Sequence, residues 1–202
     1  MQNKDYLLPG VAAIFVAVIS PIYWLGMSPS VGDYDILWQD IMSLGFYDIL
    51  FASILLLNIY IYLNLKHILN EQLNFNHIDL LVLIMVAINT LWLCTLFLDV
   101  ATTVLPDNIV TQNKDTFLNI NLSVSIGSII VIGIIDLLIG ILLLMKLNEA
   151  PTLLKIFAIM SVIQGVVGMT VFFAGILIFI IPVTFIILAM FFLRKPESIE
   201  IV

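Results

Sequence analysis

The sequence predicts an all-α integral membrane protein, a bundle of six transmembrane helices. Three observations point there. Only 10% of the 202 residues are charged and mean hydropathy is +1.20, whereas soluble domains carry about a quarter charged residues. Apolar stretches of the roughly 20 residues needed to cross a bilayer recur along the chain. Each is bounded by charges, Asn clusters or Pro/Gly turns. Little polypeptide is left between them, so residues 1–202 read as a single polytopic membrane domain with no soluble domain.

The first span, about residues 6–26, is "YLLPGVAAIFVAVISPIYWLG". It is too long for a cleaved signal peptide, and Pro21 follows its only small-residue exit at Ser20, so we expect it to be retained. Residues 35–44 then fit a short amphipathic helix on the outer surface. Asp35, Gln39, Asp40 and Ser43 gather on one side and Leu37, Trp38, Ile41 and Met42 lie largely opposite. Gly45 lets the chain turn inward, and Asp48 opens the second span, about 46–65, where a carboxylate complements a helix N-terminus. The recurrence of Tyr-Asp-Ile-Leu at 34–37 and 47–50 fits no repeat architecture.

The third and fourth spans fall at about 80–100 and 122–145. Residues 156–193 are nearly unbroken apolar sequence. One helix through them would be about 57 Å long against a hydrocarbon core of about 30 Å, so the chain must turn. The turn is expected at "FFAG", residues 172–175, giving spans at about 153–171 and 176–193.

Basic residues give the orientation, because Lys and Arg are retained on the cytoplasmic side of short loops. Lys4, Lys66, Lys146, Lys155, Arg194 and Lys195 all fall on one side and only Lys114 on the other, so both termini are expected to be cytoplasmic. Seven acids, among them Asp35, Asp48 and Asp99, lie on the outer side or its rim; with Lys114 they give that face a net charge of minus six, while six acids and six bases leave the inner face neutral. Such a field concentrates cations. Tyr23, Trp24, Tyr34, Trp38, Phe46 and Tyr47 read as an outer aromatic belt, and Tyr6, Tyr60 and Tyr62 as an inner one.

Counting residues from the cytoplasmic border of each span places Asn58, Asn89, Asp136, Gln164 and Thr184 at a common depth, about 12 to 15 Å above that border. By the same count Asp48 and Asp99 sit at the outer rim, exposed to water or nearly so. Asp136 alone among ionisable groups cannot reach an interface. Gly133 and Gly140 share its face and mark a close helix contact. The fifth span carries a matching stripe of Ala158, Ser161, Gly165 and Gly168. No Lys, Arg or His lies within the spans, so an ionised Asp136 needs a bound cation, water or several donors.

A mid-membrane carboxyl group among amides is what a proton relay or cation site requires. The first functional expectation is therefore transport or permeation of a cation or proton, with Asp136 as the binding group and Asn58, Asn89, Gln164 and Thr184 as candidate ligands. The alternative is an accessory, assembly or sensory membrane subunit without transport activity, in which the polar layer only holds helices together and the outer loops contact a membrane-protein partner or a second copy.

An enzyme is not expected, because no nucleophile and base pair is visible. No cofactor is expected: phosphate loop, metal-protease and haem signatures are missing. His67, Glu71, His77 and Asp79 in the second loop lack a tight metal-binding motif. Scattered Lys and Arg form no basic patch, which excludes nucleic acid. The single cysteine, Cys94, allows no intramolecular disulfide. The pattern resembles small bacterial six-span membrane proteins, without a motif that names a family, and points to the bacterial inner membrane.

Overall fold

The computed structural model describes residues 6–27, 34–41, 43–146, 151–170 and 173–194. Lys4, Asp5, Asp33, Glu149, Lys195, Glu197 and Glu200, which enter the charge balance, lie outside them, as do residue 171 at the end of the expected fifth span and residue 172 of the expected turn. The described residues form helices only: α1 (Leu7–Met27), α2 (Tyr34–Ile41), α3 (Phe46–Leu73), α4 (Asp79–Leu93), α5 (Leu96–Val104), α6 (Asp107–Gln112), α7 (Lys114–Lys146), α8 (Thr152–Met169) and α9 (Ala174–Leu193). Taking α4 and α5 together, six helical stretches among the described residues are long and apolar enough to cross a membrane. This is a multi-pass membrane protein.

Local chemistry sets several borders. At α3 the Gly45 N–H donates to the Asp48 carboxylate at 2.6 Å, satisfying a backbone donor at the helix start. The helix runs on to Leu73, eight residues past the expected end, and closes at Asn74 in the left-handed region, φ 47°, whose N–H bonds the Leu69 carbonyl. Lys66 marks a change of environment there and not the end of the helix. Beyond it Ile68 and Leu69 are buried, and Lys66 and Asn70 hold Asp79 at the start of α4, at 3.6 Å and 3.0 Å respectively.

α7 likewise begins at Lys114, not near 122. The third span is interrupted. Thr95 N–H bonds Trp92 and Leu98 N–H bonds Thr95, both three residues back, so a tighter turn separates α4 from α5. The chain reverses between Met169 and Ala174, close to the expected 172–175.

The spanning helices stand in a closed ring in chain order. α1 packs on α3, α3 on α4, α4 on α7, α7 on α8 and α8 on α9, and α9 returns to α1. Gly10, early in α1, meets Leu193 at the end of α9, so the ring closes with these two antiparallel. Outward faces carry exposed Phe15, Leu56, Leu91, Phe97, Phe179 and Met190, as lipid-facing surfaces do.

The α7–α8 seam is the tightest. A Cβ on Gly133 would collide with the backbone of Gly165, Gly168 and Met169, and one on Gly140 with the backbone of Ala158 and Val162. The two helices therefore meet backbone to backbone, which small residues alone permit.

A ring of six helices must fill its centre with side chains or leave it hollow, and this ring does both. Towards the end carrying the start of α1 and the end of α9, a large apolar core includes Val16, Leu65, Leu69, Ile139, Leu188 and Phe192. Towards the other end a smaller cluster forms around Phe51, Leu55 and Trp92. Between them lies a cavity.

Candidate functional site

Each helix turns one stripe towards the cavity at helical spacing. α3 contributes Phe51, Leu55, Asn58 and Tyr62; α4 contributes Met85, Asn89 and Trp92; and α7 contributes Ile129, Ile132, Gly133 and Asp136. Ser20 and Trp24 enter from α1, Gln164 and Gly168 from α8, and Leu177, Ile181 and Phe185 from α9. The volume of the cavity is about 90 Å³.

Asp136 is 1% exposed and bonded on both sides. The Tyr62 hydroxyl donates to one carboxyl oxygen at 2.9 Å and the Gln164 side-chain amide to the other at 2.6 Å. Two donors from two helices thus face a group that, ionised, only accepts. Gly133 lets α8 approach closely enough for Gln164, one residue from Gly165, to reach Asp136.

The other polar groups of the cavity are left half satisfied. Asn89 donates to the Met85 carbonyl at 2.8 Å, but its Oδ1 has no partner among the described residues. The same holds for Asn58 Oδ1, Gln164 Oε1 and Ser20 Oγ. Asn89 and Ser20 are each 1% exposed. Buried polar atoms without partners are unfavourable by about 1 to 3 kcal/mol each, and here three amide oxygens and one hydroxyl line the same small volume as a carboxyl group.

Of the sequence-derived candidates, the structure brings Asp136, Asn58, Asn89 and Gln164 to one cavity. Thr184 is buried but donates to the Ile180 carbonyl of its own helix at 3.0 Å and is not among the cavity-lining residues. Its neighbour Phe185 takes that place. Asp99 departs from expectation. It is 5% exposed, not at a wet rim, because Thr102, one turn on, bonds the Ile41 carbonyl at 2.6 Å and so draws the end of α2 over that face. Asp48 serves as the α3 cap, and exposed Asp35 pairs with Lys114 at 3.2 Å; neither lines the cavity.

Sequence reasoning missed Tyr62, which reads as an interfacial ring because it lies four residues from Lys66. It is buried, 4% exposed, since α3 continues well past that lysine. Its i, i+4 relation to Asn58 was the available signal. Trp24 and Tyr23, read as belt residues, also turn inward to the cavity.

No group of three or more His, Cys, Asp or Glu among the described residues could hold a metal ion. His67 pairs with Glu71 on the exposed surface at 3.2 Å.

No protein-family model, curated protein or solved structure matches the chain.

Proposed function

We propose that this protein transports or passes a cation or proton across its membrane, with Asp136 as the binding group and Asn58, Asn89 and Gln164 as neutral ligands around it. The observation that carries the reading is the set of unpartnered acceptor oxygens lining the Asp136 cavity. Acceptors in a medium of low dielectric need a donor or a positive charge. A single carboxyl group with amide and hydroxyl oxygens suits a monovalent cation or a proton, and not a thiolate- or imidazole-seeking transition metal.

In this reading both termini are cytoplasmic, as the six-to-one split of basic residues supports. α2 and the acidic rim then face outward, on the side towards which the dense core does not extend, and the membrane is the bacterial inner membrane. The protein is not an enzyme in this reading, and it needs no cofactor.

A second reading has its own support. Tyr62, Asp136 and Gln164 join α3, α7 and α8 directly, which is also what a structural polar layer in an accessory or sensory subunit would do. Such bonds average only about 0.6 kcal/mol in membranes.

Reconstitution into vesicles with a pH-sensitive or cation-sensitive dye separates the two. Transport predicts flux in the wild type that Asp136→Asn abolishes while the fold, checked by circular dichroism, is kept. Absence of flux for every cation tried in the wild type would leave the accessory reading standing.

A further inference from the structure

The cavity is polar at only one level. Asp136, Tyr62, Gln164, Asn58 and Asn89 gather there, and apart from the Ser20 hydroxyl on α1 and two glycines the rest of the lining is aliphatic or aromatic. At the far end four rings form a continuous cluster. Tyr23 stacks on Phe51 at 5.5 Å, Phe51 meets Trp92 edge to face at 5.4 Å, Trp92 lies 6.3 Å from Trp24, and Trp24 closes on Tyr23 at 5.2 Å. Asn89 and Trp92 are three residues apart on α4, and Phe51 and Asn58 seven apart on α3, so the polar level and the aromatic level are separated by roughly 5 to 10 Å along the helices.

A bare inorganic ion would use only the polar level and leave the apolar length unfilled. A molecule with a cationic head and a short carbon body would use both. The head would carry N–H donors, because the unpartnered groups at that level are acceptors: Asn58 Oδ1, Asn89 Oδ1 and Gln164 Oε1. A quaternary ammonium has none to give. The volume, about 90 Å³, is smaller than the cavity of about 150 Å³ that admits benzene, so the body is a few carbons long.

We propose that the cavity binds a small primary alkylammonium ion, its nitrogen against Asp136 and the three amide oxygens and its carbon chain directed towards the Trp24–Phe51–Trp92 cluster. This rests on the cation reading above and names its substrate class. The carboxyl group supplies the opposite charge, the amides take up the N–H donors, and the apolar wall shields the chain from water.

The test uses purified full-length protein in detergent, with tryptophan fluorescence and thermal denaturation as readouts. Probes are butylammonium, tetramethylammonium, neutral butanol, Na⁺ and K⁺ at matched ionic strength. Butylammonium is expected to shift both readouts saturably, with tetramethylammonium and butanol at least about tenfold weaker. Asp136→Asn should abolish the response and Trp92→Leu weaken it. If Asp136→Asn does not fold, Asn58→Leu with Asn89→Leu serves in its place and should weaken butylammonium binding by about tenfold or more.

Equal or stronger response to Na⁺ or K⁺, or no saturable response to butylammonium, overturns the proposal. The dye-flux assay keeps the two failures apart. Asp136-dependent Na⁺ or proton flux without amine binding rejects the amine and leaves cation transport; amine binding without flux of any cation does the reverse.

Discussion

Tyr62 and Asp136, 74 residues apart in sequence, meet at 2.9 Å with the tyrosine hydroxyl donating, both side chains buried. The bond joins α3 to α7 across the cavity, two helices that are not neighbours in the ring. Gln164 completes the grip from α8, so the carboxyl group is fixed from two directions.

Tyr62→Phe removes the hydroxyl and keeps the ring. The expected loss of stability is about 0.6 kcal/mol and at most about 1.7, read by denaturation in mixed detergent micelles. If the bond orients Asp136 for a cation, flux falls far more than that loss of stability accounts for. Equal flux in the two proteins would count against the orienting role.

Asn89→Leu separates a ligand from a structural contact. The substitution keeps side-chain bulk and deletes a buried acceptor with no donor, so thermal stability should be unchanged or rise slightly. Cation flux or binding should drop. A marked fall in melting temperature with flux retained would identify Asn89 as structural.

The α7–α8 seam predicts opposite outcomes for glycines on one helix. Gly133→Ala places a methyl against the backbone of α8, and the resulting separation should destabilise by about 1 to 3 kcal/mol. Gly127→Ala, with open space around it, should stabilise by about 0.5 to 1 kcal/mol through helix propensity. Denaturation midpoints of the pair check both signs.

Thr184→Val tests where the site ends. Its hydroxyl bonds only its own helix in this structure; stability should move by less than about 0.5 kcal/mol, and dye flux should be that of the wild type. A loss of flux as large as that of Asp136→Asn would place Thr184 in the pathway.

The sequence made the spanning helices readable because hydrophobic length is a direct physical requirement of a bilayer. Gly133, Gly140, Gly165 and Gly168 were readable as a seam because small residues at helical spacing have few other uses inside a membrane. The helix ends at Leu73 and Lys114 were not: helical hydrogen bonding does not stop where polarity begins, and Lys66 is held by Asp79 within an ordered region.

Depth counting gathered Asn58, Asn89, Asp136 and Gln164 but could not give azimuth. Thr184 shares their depth and satisfies itself on its own backbone, which frees a buried hydroxyl from facing any particular neighbour. The break at Cys94–Thr95 carries no Gly or Pro to announce it. Asp99 is buried by a contact from α2, a tertiary event with no local signature.

The closed ring is mechanically uneven. Its α7–α8 joint is tight, since backbone rests on backbone and any separation gives up that close packing. α4, by contrast, is shortened by the turn at Cys94–Thr95, one residue past Leu93. α4 carries both Asn89 and Trp92 and takes no part in the Asp136–Gln164 bond, so a tilt of α4 alone would alter the amide and aromatic levels of the cavity while leaving that bond in place.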